Sequence, residues 1–102
     1  MKKLIALYRK PDNVSAFLEH YRAVHTPLVQ KTPGLASLVV NKVTGTPFGE
    51  EPSYFMMAEM HYPDQVTFEA AMRSPENRAA GKDLMSFAKD LVTLLIADDA
   101  EG

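Results

Sequence analysis

Between residues 14 and 24, apolar side chains fall at Val14, Phe17, Leu18, Tyr21 and Val24, at steps of three, one, three and three. This is the 3.6-residue period of an amphipathic helix with one buried stripe. Pro11-Asp12-Asn13 stands just before it, and a short Asp or Asn side chain accepts the first free backbone N–H groups of a helix. Pro27 is expected to end or kink this helix, because the residue before a proline is driven out of helical backbone geometry. Ahead of it, residues 3–9 are β-like. Beyond it, Pro33-Gly34 marks a turn, 35–44 is rich in Val and Leu and reads as a second strand, and 54–62 (YFMMAEMHY) reads as a third. The polar loop between them carries Gly45, Pro47, Gly49 and Pro52, so these two strands are expected to pair antiparallel.

Pro63-Asp64 opens another helix, with Val66, Phe68, Ala71 and Met72 as its expected buried side. Ser74-Pro75-Glu76 restarts the helical chain in a new direction, with Ser at the N-cap, Pro at the first helical position and an acid in the first turn. Ala79, Ala80, Leu84 and Phe87 continue an apolar face. Residues 91–97 (LVTLLIA) form the last expected strand, and the acidic tail 98–102 is expected to fray. The order β-α-β-β-α-α-β over residues 1–102 fits a single α+β domain: a ferredoxin-like split βαβ sandwich, with a four-stranded antiparallel sheet and helices on one face.

The strands are apolar at consecutive positions, as in Leu4-Ile5-Ala6-Leu7, Leu38-Val39-Val40 and Leu94-Leu95-Ile96. Consecutive strand residues point to opposite faces, and helices cover one face only. Large bare apolar faces are rare on monomers, so the second face predicts a homodimer whose sheets pack face to face.

Composition narrows the functional classes. The chain has 102 residues, 46% hydrophobic and 24% charged, as expected of one folded domain. Its formal charge of -2, with Lys and Arg scattered, disfavours nucleic acid as a partner. With no cysteine there is no thiol nucleophile, thiolate metal site or disulfide. The opening MKKLIALYRK resembles a signal peptide only in part and is read as a strand, and no run approaches a membrane span, so no membrane partner and a cytoplasmic location are the expectations. No GxSxG, HExxH, GxGxxG or GxxxxGK[ST] pattern occurs, and no cofactor or metal is expected.

Candidate chemistry centres on Tyr21 and His25. Four apart, they share a face of a continuous helix, and His25 sits beside a helix break where an imidazole can exchange protons near neutral pH. The plainer alternative is that His25 caps nearby carbonyls. His20 falls on the far side of this helix and is expected to be solvated. Its offset of five from His25 argues against the two rings meeting at one point, and so against a metal site. His61 shares a strand face with Glu59, Met57 and Phe55. Asp83, at the edge of the last helix's apolar stripe, either orients a histidine across a cavity or pairs at the surface with Lys82 or Arg78, the latter being the simpler expectation. Six methionines and five phenylalanines either fill the core or line a pocket for a flat apolar ligand.

The stretch FLEHYRAVHTPLVQKTPGL, followed by a strand and then YFMMAEMHYPDQVTFEAAMRSPENRAAGKDLMSFA, is similar to the EthD family of small dimeric α+β barrel proteins, named for a component of ethyl tert-butyl ether degradation. The marks that carry this resemblance are Tyr21 and His25 before Pro27-Leu28, the Pro33-Gly34 turn, the Ser74-Pro75-Glu76 helix start, and Asp83-Leu84 leading to Phe87. The resemblance implies a ferredoxin-like fold, dimerisation through the sheets and a ligand cavity between sheet and helices. It matches His25 to the family's histidine, Tyr21 to its aromatic neighbour and Asp83 to its acidic position, while His61 departs from the pattern. Related barrels include cofactor-independent monooxygenases, isomerases and cyclases or dehydratases, so the fold does not select the reaction. The expectation is a small hydrophobic molecule in the cavity, with His25 moving a proton in proton-transfer or cofactor-free oxidative catabolic chemistry and Tyr21 or Asp83 orienting it. The alternative is an accessory protein that delivers such a compound to an oxygenase without turnover. A dimer with no ligand is the third reading.

Overall fold

Strand β1 (Lys2–Tyr8) lies inside the sheet, flanked on one side by β3 (Met56–Tyr62) and on the other by β4 (Val92–Asp98), while β2 (Ser37–Lys42) pairs with the far side of β3. The order β2-β3-β1-β4, antiparallel throughout, is that of a ferredoxin-like sheet. The structure, a computed structural model, describes residues 1–100. Ala6 stands opposite Ala58 on one side and Leu94 on the other, and Leu4, Ala6, Tyr8, Met56, Ala58, Met60 and Tyr62 turn to the helices. The alternation along β3 is complete: Met56, Ala58, Met60 and Tyr62 are buried, and Met57, Glu59 and His61 are half-buried on the other face.

Three N-caps form where the sequence signals them. Asn13 accepts from the N–H of Ala16, Asp64 from Thr67 and Ser74 from Asn77, at 3.0, 2.8 and 3.1 Å, opening α1 (Val14–His20), α3 (Gln65–Met72) and α4 (Pro75–Ala88). Phe17, Tyr21, Phe68, Ala71, Ala80, Leu84 and Ala88 pack from these helices onto the sheet. Val66, Ala79 and Val24 do not. All three are exposed, because each lies just off the strip of helix surface that meets the strands.

Pro27 does not end the first helix. The chain stays helical through a π-helical turn at Tyr21–His25 and a further helix α2 (Thr26–Gln30), with Pro27 in the first turn of α2. Pro27 has no N–H to donate, so the bonding register can change there without leaving a donor unmade. The strands are close to expectation, except that β2 is shorter than 35–44. The acidic tail begins as structure rather than fraying: Asp98 belongs to β4 and pairs with Lys2 at 2.8 Å, and Asp99 pairs with Lys3 at 2.7 Å and with the chain's N-terminal amine at 3.2 Å. The remainder of the tail, 101–102, lies outside the described residues.

The molecule is a slab of 40 × 36 × 18 Å, one helical layer on one sheet. Its uncovered sheet face carries Ile5, Leu7, Val39, Met57 and Leu95, interrupted by the Glu59–His61 pair at 3.2 Å. Val39 and Leu95 are exposed.

Candidate functional site

The π turn decides what the first helix presents. Thr26 N–H donates to the Tyr21 carbonyl, five residues back, which inserts one residue into the turn. In an α-helix, residues five apart diverge by about 140° at about 100° per residue. The widened turn brings His20 and His25 round toward α4. There Asp83 receives both: His20 Nε2 lies 2.8 Å from Oδ1 and His25 Nδ1 lies 3.0 Å from Oδ2. The aspartate side chain is 12% exposed, that of His25 6% and that of His20 34%. Phe87, one turn beyond Asp83 on α4, rests against both imidazoles, with ring centroids 4.5 Å from His20 and 5.3 Å from His25.

Two expectations are thereby overturned. His20 is not a solvated bystander, because the offset of five fails as an argument once the helix carries a π turn. Asp83 is not a surface partner of Lys82 or Arg78; its carboxylate is nearly buried between two rings. Tyr21 and His25 are neighbours as expected, with ring centroids 5.5 Å apart. His61 stands on the opposite sheet face and takes no part in this site. Among the described residues, no group of three or more His, Asp or Glu is arranged to hold a metal ion.

His25 also borders a cavity of about 180 Å³ between sheet and helices. Its walls are mostly apolar, including Leu4, Val29, Met60, Met72 and Leu84, and its polar groups are few: Tyr8, Tyr21, His25, Thr32, Tyr62 and Asn77. Of the lining residues, Leu4, Met72, Asn77 and Gly81 are half-buried and Leu94 is exposed. Tyr8 was not singled out in the sequence. The signal available for it was its place on the same strand face as Leu4 and Ala6, and its ring meets that of Tyr21 edge-on at 5.7 Å.

Among the described residues no buried side-chain nitrogen or oxygen lacks a partner, yet the Tyr8 and Tyr21 hydroxyls and His25 Nε2 bond to no group of the chain. These three atoms therefore open to the cavity. Burial pushes Tyr21 up to about 12, and burial, then the neighbouring Tyr21, pushes Tyr8 up as well. Both are neutral O–H donors across the physiological range. His25 is lowered by burial, against the opposing pull of Asp83, so at neutral pH it is an uncharged imidazole. An ionised carboxylate only accepts hydrogen bonds, which puts the His25 proton on Nδ1 and leaves Nε2 a lone pair toward the cavity.

Fold and site together describe a ferredoxin-like α+β protein with a small apolar chamber and an Asp-oriented histidine in its wall. The sequence profile of the EthD domain matches residues 13–90. The chain belongs to the EthD family. It is 31% identical over 99 residues to an uncharacterised 11.0 kDa protein of the thcB–thcC intergenic region of Rhodococcus erythropolis, covering 97% of this chain and 95% of that one. The crystal structure of an EthD family protein from Bacillus halodurans C-125 superposes with a TM-score of 0.91 at 45% identity, over 98% of this chain and 99% of that one. A dimeric ferredoxin-like protein of unknown function from Thermobifida fusca YX shares the fold at a TM-score of 0.67 and 21% identity, over 94% of this chain and 88% of that one.

Proposed function

We propose that this protein holds a small, largely apolar organic molecule in the chamber and exchanges a proton with it through His25. The observation that carries this reading is the division of labour on one ring: Nδ1 is held by Asp83 at 3.0 Å while Nε2 opens to the cavity. An apolar cavity of roughly 150 Å³ accommodates benzene, and drug-sized ligands need about 300 Å³ or more, so a chamber of about 180 Å³ suits a single ring or a short branched chain. Its few polar atoms suit a ligand with one oxygen.

In the step this supports, a weakly acidic C–H or O–H bond of the ligand breaks, its electron pair stays on the ligand as an enolate or phenolate, and the proton goes to His25 Nε2. The imidazolium keeps its Nδ1–H on Asp83, whose charge offsets the new one. Tyr8 and Tyr21, protonated donors at the same wall, stabilise the oxyanion. Return of the proton to another ligand atom completes an isomerisation.

The working unit is a homodimer joined through the uncovered sheet faces. Support comes from the exposed Val39 and Leu95 on that face and from the dimeric state of the Thermobifida fusca protein.

The test is a screen of monocyclic phenols, ketones and branched ethers by ligand-observed NMR, followed by hydrogen–deuterium exchange at the acidic position of any binder. His25→Gln is expected to keep binding and lose exchange. A variant that loses affinity alone would identify a carrier instead, and failure of every compound to bind would remove the reading.

A further inference from the structure

One carboxylate here serves two imidazoles, and the reading of His25 as a base uses only one of them. We propose that His20 is a positioning residue for His25: by taking one oxygen of Asp83 it turns the other toward His25 and limits how strongly the carboxylate can favour a charged ring in the chamber. The inference rests on the proposed role of His25 and names the group that regulates it.

Three features of the structure support it. First, the two contacts are of similar length, 2.8 Å from His20 and 3.0 Å from His25, and they use different oxygens, so neither ring displaces the other. Second, the arrangement runs from outside to inside: the His20 side chain is 34% exposed, that of Asp83 12% and that of His25 6%. Phe87 lies against both rings. Third, the two rings reach one carboxylate through a π turn at Tyr21–His25, and π turns are frequent at functional sites.

The proton inventory gives the consequence. With Asp83 ionised and both rings neutral, each ring donates its inner N–H and the three groups together carry one negative charge. A first proton on either ring neutralises the cluster. A charge on His20 opposes a second charge on His25, because both rings share the one carboxylate. Besides Asp83 from α4 and His20 from α1, the titratable groups that share this cavity wall with His25 are Tyr21 on its own helix, Tyr8 from β1 and Tyr62 from β3, all raised by burial and neutral in this range. Of the groups that face His25, His20 is the one that can add a positive charge, and a charge there acts to lower His25, after burial and Asp83.

The experiment is a nitrogen-15 NMR titration of the imidazoles in the full chain, compared with His20→Gln and His20→Ala. Gln keeps an N–H near the Nε2 position but carries no titratable charge; Ala leaves the carboxylate oxygen bare. In both variants the His25 midpoint is expected to move upward. In His20→Gln the Nδ1–H tautomer of His25 is expected to persist, and in His20→Ala its fixed population is expected to fall. Unchanged midpoint and tautomer in both variants, with backbone spectra showing them folded, overturn the proposal. Asp83→Asn separates this from the parent reading: it is expected to lower the His25 midpoint, and if it has no effect the orientation of His25 by Asp83 fails independently of His20. No ligand or turnover is needed for any of these measurements.

Discussion

The backbone N–H of Thr26 donates to the carbonyl of Tyr21, five residues earlier rather than four, and that one widened turn lets two histidines five apart meet a single aspartate. Asp83 comes from 63 and 58 positions further along the chain, so the cluster exists only once α4 has packed beside the first helix. Tyr21 and Phe17 of the same helical segment anchor it by burying their rings against Tyr8, at 5.7 and 5.5 Å.

The pH dependence of stability follows from His25. Burial lowers it more than Asp83 raises it, so its folded value lies under the unfolded value of about 6.5. Between the two values the unfolded chain binds the extra proton, and acid favours unfolding. Stability is expected to fall as pH drops from about 7 through the unfolded value, levelling off once the pH is below the folded one. Urea unfolding of the wild type and His25→Gln checks this, because the difference between their curves isolates the histidine. A difference that grows in the wild type's favour toward acid refutes it.

Gly34 occupies a backbone geometry that only glycine adopts freely. Its φ is +79°, and a Cβ there would overlap the methyl group of Thr67 on α3. Gly34→Ala is expected to cost about 1–3 kcal/mol in denaturant titrations. Adding Thr67→Ala should recover part of the loss, since it relieves the overlap but not the strain. Full recovery would mean that the φ requirement contributes nothing.

Gly81 sits within α4, borders the chamber and leaves a Cβ with nothing inside 4 Å. Glycine inside a helix is worse than alanine by about 0.5–1 kcal/mol, so Gly81→Ala is expected to stabilise by about that much. Gly81→Leu is expected to fill the chamber, abolishing uptake of a small ligand while leaving the helix content by circular dichroism unchanged. Undiminished uptake in this variant would locate the ligand elsewhere.

The uncovered sheet face predicts association. Sedimentation at micromolar concentration is expected to give twice the chain mass of 11.3 kDa, and Val39→Lys with Leu95→Lys, both surface positions in one chain, is expected to give the single mass without unfolding. A wild-type chain that sediments alone sinks the dimer.

What the sequence determined by itself is what depends on near neighbours. Asn13, Asp64 and Ser74 cap the helices they precede, and the alternation of Met56, Ala58, Met60 and Tyr62 fixes which face of β3 is buried, because caps and strand faces are set by residues one to four positions away. The pairing of Tyr21 with His25 was legible for the same reason, whereas Asp83 was named through the family pattern.

The contact of His20 with Asp83 and the burial of Asp83 were not legible. A 3.6-residue period assigns His20 to the wrong side, and only the π turn, a change of one backbone hydrogen bond, rotates it back. The exposure of Val66 and the entry of Tyr8 into the chamber were also decided in three dimensions, by which strip of each helix lands on the strands and by the space the helices leave above them. Those outcomes depend on contacts between elements far apart in the chain, and local pattern carries no record of them.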